Sequence, residues 1–183
     1  GDNTDGIGLV RDLQRLGVNL EHKRILLIGA GGASRGALLP LIQSQCAALH
    51  IANRTVNKAE DLITLMQELQ VSAPPQGLTA SALDAIPGTW DVIINASSSS
   101  LNDTPLAIPA AVFGTQSFAY DMLYTASGST AFLKQAQAAG TRHVSDGLGM
   151  LVYQGAEAFR IWHQQEPDGL PVLNALRQAL QQA

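Results

Sequence analysis

The stretch LLIGAGGASRGALL, residues 26–39, changes from one structural pattern to another within a few positions. An apolar run stops at Gly29, two more glycines follow at Gly31 and Gly32, and residues with helical spacing begin directly afterwards. A buried strand, a tight turn and a helix in this order form a phosphate-binding unit, because glycines let the backbone approach a diphosphate and the helix N-terminus presents free N–H groups. The stretch therefore predicts a dinucleotide site at a strand-to-helix turn.

The match to the G-x-G-x-x-G pattern is partial. Gly29 and Gly31 occupy its first two positions, whereas the third is Ser34, and Gly36 follows two residues later. A lone match of this kind is weak, so a glycine-rich turn without a ligand stays open as an alternative. The clear strand before the turn and the clear helix after it favour the binding site.

The end of the next predicted strand carries basic residues. An NAD site usually has Asp or Glu about 20 residues beyond the glycines, but this chain reads NRTVNK, with Asn53, Arg54, Thr55 and Lys58. An acid would repel a 2′-phosphate, whereas Arg and Lys attract it and Thr can donate a hydrogen bond. The pattern favours NADP over NAD. In the alternative, Arg54 and Lys58 are solvated surface charges and Thr55 caps the next helix.

Strand and helix patterns alternate along the chain. Nearly continuous apolar strands separated by helices indicate a parallel sheet covered on both faces, so the predicted fold is α/β, a Rossmann-like doubly wound sheet with flanking helices. The predicted strands are residues 24–29, 47–54, 90–97, 117–123 and 142–147, with a weaker one near 76–79. The predicted helices are residues 4–17, 33–45, 57–70, 129–140, 149–163 and 172–182, and Pro40 should bend or shorten the second. Residues 95–105 are expected to form a mobile loop.

Composition narrows the class of protein. The chain has 183 residues, 46% of them hydrophobic, which suits one domain with one good core. A formal net charge of −4 argues against nucleic-acid binding, which needs a basic face. No apolar run reaches the ~18 residues of a membrane span, so no membrane partner is expected. The single cysteine, Cys46, is expected to be buried in a protein of the reducing cytoplasm, and no metal site is predicted.

Five fragments in order, GDNTDGIGL, LLIGAGGASRG, ANRT, YDMLY and SDGLGMLVYQGAEAF, resemble the C-terminal half of the shikimate dehydrogenase family. The resemblance covers essentially the whole chain. It implies reduction of 3-dehydroshikimate to shikimate with NADPH, in aromatic amino acid biosynthesis. It also implies a two-domain enzyme with an N-terminal substrate domain and a C-terminal Rossmann domain.

The resemblance also implies roles for individual residues. The pyrophosphate loop would consist of Gly29, Ala30, Gly31, Gly32 and Ala33, and the 2′-phosphate clamp of Asn53, Arg54, Thr55 and Lys58. The family often has Arg where this chain has Lys58. The Lys58 ammonium is a point charge, whereas a guanidinium can bind a phosphate through two parallel hydrogen bonds, so the preference for NADP is expected to be weaker, though not reversed. Met122 and Gly147 match residues on the nicotinamide side of the cofactor.

Three further residues match the substrate side. Tyr124 and Gln154 correspond to shikimate-binding residues, and Asp5 to the catalytic aspartate. Gln154 lies on the apolar stripe of its helix, where an amide needs a partner, either a backbone group or a polyol substrate. Tyr124 follows a strand end, where ligands gather, or is a half-buried surface tyrosine. Asp5 starts a helix, where acids are also favoured by the helix dipole, and Asp2 is the candidate for a pure cap.

The family's catalytic lysine belongs to its N-terminal domain, and none of Lys23, Lys58 and Lys134 has a matching context. We therefore expect residues 1–183 to be the NADP-binding domain of a longer enzyme, with residues 1–20 and 149–183 facing the missing substrate domain. Such a chain should bind NADPH without turnover, and partly exposed apolar residues on these helices favour association, for example into a homodimer. Two alternatives stay open: an NAD-dependent quinate/shikimate dehydrogenase, and a non-catalytic regulatory module that binds a dinucleotide.

Overall fold

The computed structural model describes residues 3–74, 76–99 and 104–182. Its strands are β1 (Arg24–Ile28), β2 (Ala48–Ala52), β3 (Leu78–Ser81), β4 (Val92–Asn95), β5 (Phe118–Asp121) and β6 (His143–Asp146). All pair in parallel, in the order β3-β2-β1-β4-β5-β6. This is the strand order of a Rossmann fold, in which the direction of winding reverses between β1 and β4, and it confirms the predicted fold class.

Six α-helices flank the sheet within the described ranges: α1 (Asp5–Arg15), α2 (Gly32–Gln43), α3 (Val56–Glu68), α4 (Ala131–Ala138), α5 (Leu148–His163) and α6 (Gly169–Gln182). Each corresponds to a predicted helix. α6 begins three residues earlier than predicted, because Asp168 Oδ1 accepts a hydrogen bond from the Leu170 N–H and because Pro171 falls in the first turn, where proline is tolerated. The weak strand is real, but it begins at Leu78, two residues later than predicted.

Pro40 lies inside α2, which continues to Gln43 and ends two residues before the predicted boundary. A proline lacks the N–H that would bond to the carbonyl four residues earlier, that of Gly36. α1 packs at this point: a side chain on Gly6 would collide with the Gly36 carbonyl and with the Pro40 ring. The proline therefore marks a close helix–helix contact, and α2 continues for three residues beyond it.

Two cores lie on opposite faces of the sheet. On β1, Ile25 and Leu27 point to the face covered by α1, α2, α3 and α5, whereas Leu26 and Ile28 point to the face covered by α4 and irregular segments. This alternation follows from the two-residue period of a strand. Cys46 is buried in the first core, as predicted, and burial raises the pKa of its thiol.

α1 is part of the first core. Leu9 and Leu13 are fully buried, and glycines on the same helix allow close contact with α2 and α5. The expectation that apolar residues of this helix would be partly exposed is therefore wrong for Leu9 and Leu13, whereas Ile7 and Val10 are half-buried. Within the described ranges, most of the exposed large apolar residues of the helices belong to α5 and α6, namely Leu151, Phe159, Ile161, Trp162, Leu170, Val172 and Leu176, and α2 adds Leu39.

A buried polar pair joins α1 to the sheet. The hydroxyl of Tyr120 donates a 2.7 Å hydrogen bond to Asp12 Oδ2, and Arg15 Nε donates to Asp12 Oδ1 at 2.8 Å. Burial and the adjacent Asp12 carboxylate raise the pKa of Tyr120 well above its usual value. The tyrosine therefore stays neutral and anchors α1 above β5.

His50 occupies the opposite face of β2. Its ring is 2% exposed, stacks on Trp90 with centroids 5.4 Å apart, and lies 2.8 Å from the hydroxyl oxygens of Thr79 and Ser81 on β3. Burial lowers the pKa of His50 from 6.5 to about 4. The imidazole is consequently a neutral link between two neighbouring strands.

Candidate functional site

A cleft of about 510 Å³ opens at the carboxyl edge of the sheet, where β1 and β4 diverge. This edge is where open parallel sheets bind ligands, and the volume is within the usual range for a ligand pocket. The lining residues come from the turns after four strands: Ile28, Gly29, Ala30, Gly31, Asn53, Arg54, Leu83, Ala96, Ser97, Ser98, Ser99, Thr104 and Leu106. The cleft thus joins the glycine turn to the basic strand end.

The glycine turn has a backbone that suits a diphosphate. Gly29 has φ of +110°, and a side chain there would lie 3.1 Å from the carbonyl oxygen of Ala96 across the cleft. By contrast, a Cβ on Gly31 or Gly32 would meet nothing within 4 Å, so open space lies in front of these two backbone positions. The turn therefore leaves room for a phosphate group beside the main chain.

The start of α2 faces this space. Gly31 is the N-cap residue, no side chain caps the helix, and no acidic residue lies in the first turn. The first backbone N–H groups of the helix and its positive dipole end are therefore available to an anion. Ser34, which replaces the third glycine of the motif, is completely buried, and its hydroxyl has no partner among the residues that the structure describes.

Asn53 and Arg54 form the second wall of the cleft. The Asn53 backbone N–H donates to the Ser81 carbonyl at 3.2 Å, and its side-chain amide donates to the Thr55 carbonyl at 2.8 Å, which fixes the turn. Arg54 is exposed and forms no ion pair within the described part of the chain. A guanidinium in this state can bind an incoming phosphate through paired hydrogen bonds.

Thr55 and Lys58 follow at the start of α3 but do not line the cleft. Thr55 is the N-cap residue by position, yet its hydroxyl accepts no capping hydrogen bond, so the capping alternative lacks its expected contact. Lys58 is exposed in the first turn of the helix. Both residues lie within four positions of Arg54, where Lys58 adds to the positive potential of this rim and Thr55 offers a hydroxyl donor.

A group of serines was missed in the sequence. Ser97, Ser98 and Ser99 line the cleft, and Asn95 Oδ1 accepts hydrogen bonds from the Ser97 N–H at 3.0 Å and hydroxyl at 2.7 Å. The signal was available, because polar residues directly follow a strand that ends at the binding edge. Residues 100–103 of the predicted loop lie outside the described residues.

The loop after β5 is anchored by a buried carboxylate. Asp121 Oδ1 accepts from the Asn95 amide at 3.2 Å and from the Leu123 N–H at 3.1 Å, and its Oδ2 accepts from the Thr130 hydroxyl at 2.6 Å. Asn95 also holds the serine loop. One polar network therefore connects the cleft to the loop that carries Met122 and Tyr124.

Met122 and Gly147 lie together. The Gly147 N–H donates to the Leu123 carbonyl at 3.1 Å, and a side chain on Gly147 would collide with the Met122 carbonyl. Neither residue lines the cleft itself. Tyr124 follows on the same loop with 38% of its surface exposed, so its ring is open to a ligand.

Asp5 and Gln154 lie near a single helix crossing. Asp5 is the first residue of α1, is half-buried, and its N–H donates to Asn3 Oδ1 at 2.9 Å. One turn later, a Cβ on Gly8 would lie 2.6 Å from the Gln154 backbone nitrogen on α5. These residues lie outside the cleft described above. Asp2, the predicted cap, lies outside the described residues.

The described ranges were searched for a metal site and for a membrane-spanning helix. No group of three or more His, Cys, Asp or Glu side chains is placed to hold a metal there. Likewise, none of the helices in those ranges has both the length and the apolar character to cross a bilayer.

Sequence comparison identifies relatives of the whole chain. The sequence model of the shikimate / quinate 5-dehydrogenase family matches residues 12–104, and that of the shikimate 5′-dehydrogenase C-terminal domain matches residues 147–181. A shikimate dehydrogenase (NADP+) of Bordetella avium is 48% identical over 97% of this chain. The chain spans only 61% of the length of that relative.

Solved structures agree with these matches. An Ael1 enzyme from Pseudomonas putida is 44% identical, with a TM-score of 0.84 over 95% of this chain and 62% of its own. The shikimate 5-dehydrogenase of Thermus thermophilus, solved in complex with NADP(H) and shikimate, is 31% identical. Its TM-score is 0.76 over 98% of this chain and 64% of its own.

Proposed function

The chain belongs to the shikimate / quinate 5-dehydrogenase family, and from this premise we propose that it binds NADP in the cleft between β1 and β4. The protein that contains it would reduce 3-dehydroshikimate to shikimate with NADPH. The observation that carries the proposal is the position of Arg54 on the wall of the cleft opposite an open glycine turn, with no acid at that strand end. The NADP+ in the name of the Bordetella relative supports the same cofactor.

Two turns, one after β1 and one after β2, would bind the phosphate groups of the cofactor. Backbone N–H groups of Gly31, Gly32 and Ala33 at the start of α2 would bind the pyrophosphate, with Gly29 and Ala30 giving it room. Arg54 would pair with the 2′-phosphate through two hydrogen bonds, and Asn53, Thr55 and Lys58 would complete the clamp. NADPH, when bound, supplies the hydride.

The substrate end would lie beyond Met122 and Gly147, the proposed neighbours of the nicotinamide. Tyr124 and Gln154 would hold hydroxyl groups of shikimate. Reduction of a ketone leaves an oxygen that needs a proton, and Asp5 would orient the substrate hydroxyl and the group that donates this proton. In the family that group is a lysine of the substrate domain, so we propose that it lies outside this chain.

We propose that residues 1–183 form the NADP-binding domain, with the parts 1–20 and 149–183 facing a substrate domain. The shorter span of the chain relative to its relatives supports this division, as do the exposed apolar residues on α5 and α6. The chain alone should bind NADPH but show no turnover with shikimate and NADP, followed by the absorbance of NADPH. Brisk turnover by the chain alone would contradict the division. Light scattering would test the expected association into a homodimer.

The decisive test of cofactor choice is the substitution Arg54→Ala. Loss of charge-assisted hydrogen bonds to the 2′-phosphate should weaken NADP binding by about 1.5–3 kcal/mol, a factor of roughly 10 to 150 in Kd, and leave NAD binding within about twofold. Titration calorimetry measures both constants. Arg142→Ala is the matched control, because Arg142 is exposed and directly precedes β6, a strand that contributes no residue to the cleft. Equal losses for the two dinucleotides would refute the role of Arg54.

A further inference from the structure

α6 lies outside the alternation of strands and helices, and Arg177 is its only charged residue. The helix packs Leu173 against Leu148 and Val152 of α5, which leaves Arg177 directed at the end of β6. There it meets Asp146, whose side chain is 3% exposed, while that of Arg177 is 27% exposed. A nearly buried carboxylate is thus paired by the C-terminal helix.

The contact is a fork. Arg177 Nη1 donates to Asp146 Oδ2 at 3.0 Å and Nη2 donates to Asp146 Oδ1. Arg177 Nη1 also donates to the Thr125 carbonyl at 2.9 Å, and Asp146 Oδ2 accepts from the Thr125 N–H at 3.2 Å. Both backbone groups of Thr125 are therefore bound by one ion pair. A planar guanidinium can make these bonds together because its donors lie on separate nitrogens, whereas an ammonium has a single nitrogen.

The ion pair adjoins the substrate end of the site along two segments of chain. Thr125 directly follows Tyr124, and Asp146 directly precedes Gly147. Arg177 itself is not among the residues that line the cleft. Its effect on the site must act through the backbone of the loop and of the turn that carry Tyr124 and Gly147.

We propose that Arg177 is a positioning residue that fixes Tyr124 for the substrate, an inference that rests on the proposed function. While the ion pair is formed, the backbone at Thr125 is held in one conformation. The neighbouring Tyr124 has therefore lost part of its conformational freedom before the substrate binds. Without the ion pair, the Thr125 carbonyl loses its charged donor and the loop gains alternative positions. The C-terminal helix thus sets the affinity for substrate, while the phosphate groups of the cofactor, which would supply most of its binding, are held by the separate turns after β1 and β2.

The test uses the full-length protein with Arg177→Ala and the control Arg160→Ala. Arg160, whose side chain is 44% exposed, forms a comparable fork with the buried Glu157 on α5, at 2.8 and 2.7 Å, and Glu157 is also paired with Arg11. A displaced Tyr124 would lose a hydrogen bond to the bound substrate, so we expect Arg177→Ala to raise KM for shikimate roughly tenfold. Kd for NADPH and kcat should stay within about twofold. Arg160→Ala should leave all three constants unchanged.

Two rescue measurements separate positioning from general damage. Arg177→Lys should give an intermediate KM, because a single ammonium can replace only part of the fork. Methylguanidinium in solution should lower the KM of Arg177→Ala toward the wild-type value. If Arg177→Ala does not fold, Arg177→Lys decides by the same criterion, a raised KM with unchanged Kd for NADPH. An unchanged KM in the folded variant, or an equal loss of NADPH affinity, would overturn the proposal.

A second readout does not depend on turnover. Amide hydrogen exchange in residues 122–129 should be faster in Arg177→Ala than in the wild type, and unchanged in Arg160→Ala. If the wild-type protein did not act on shikimate, the proposed function would fail while the exchange result still tested the anchoring of the loop. Unchanged exchange in this segment would remove the basis of the proposal even in an active enzyme.

Discussion

His50 should make the protein lose stability in mild acid. The ring is enclosed by Trp90 and by the hydroxyl groups of Thr79 and Ser81, and the Arg24 guanidinium lies 4.5 Å from the centroid of the Trp90 ring. Ser81 donates its own hydroxyl hydrogen to the Ala82 carbonyl, so its oxygen accepts from His50 Nε2–H. Nδ1 is then the acceptor for the Thr79 hydroxyl, and the neutral ring has both nitrogens satisfied.

The size of the effect follows from the pKa of His50, which burial lowers from 6.5 to about 4. Above pH 6.5 the ring is neutral in both the folded and the unfolded protein, and the full stability is present. As the pH falls below 6.5, His50 is protonated in the unfolded chain but stays neutral in the folded protein, so the free energy of unfolding decreases. Each pH unit costs about 1.4 kcal/mol, which gives roughly 2.5 kcal/mol at about pH 4.5 and a ceiling near 3.4 kcal/mol.

The assay is urea unfolding, followed by circular dichroism, of the wild type and His50→Gln at about pH 7.5 and about pH 4.5. Carboxylates also titrate in this range, so the quantity of interest is the difference between the two proteins at each pH. The wild type should lose about 2.5 kcal/mol more than His50→Gln between the two conditions. His22→Gln, which removes an exposed imidazole, is the matched control. Parallel losses in the wild type and His50→Gln, or an NMR signal of a charged His50 ring at about pH 6, would refute the reasoning.

Two further substitutions test contacts near the site and in the core. Gly147→Ala should destabilise the protein by about 2–3 kcal/mol in thermal unfolding, because the new methyl group would collide with the Met122 carbonyl. Gly155→Ala on α5 has open space and should instead stabilise by about 0.5–1 kcal/mol, and equal effects of the two changes would contradict the geometry. Tyr120→Phe should cost about 1–3 kcal/mol in urea unfolding, because the buried Asp12 carboxylate would lose a donor, and a neutral effect would count against that bond.

Local patterns made much of the fold and of the cofactor cleft predictable. The glycine turn is encoded within residues 26–39, because an apolar strand, the turn and the helix are consecutive. The same holds for Asn53 and Arg54, which directly follow a fully buried strand. Parallel strands place such turns at one edge of the sheet, so the meeting of Gly29 and Arg54 in one cleft followed from the fold class. The roles of Asp5, Tyr124 and Gln154 stay predictions.

Contacts between distant side chains were not predictable. Asp12 and Tyr120 are 108 positions apart, and Asp146 and Arg177 are 31 positions apart. Neither pair produces a periodic signal, because a buried polar residue is compatible with many partners until the helices are placed. The start of α6 was predicted three residues too late for a different reason. The helix includes Pro171 in its first turn, where a proline costs no hydrogen bond.

The place of β1 in the sheet has a consequence for how the polypeptide assembles. β1 pairs on one side with β2, the next strand along the chain, but on its other side with β4, and the Arg24 N–H reaches Asp91, which is 67 residues away. Closing that long loop is the slow kind of event in folding. The cleft is therefore a seam between segments that are distant in the chain, and we expect their contact to form late in folding. A dinucleotide that spans the seam binds only the folded protein, so it should raise the free energy of unfolding.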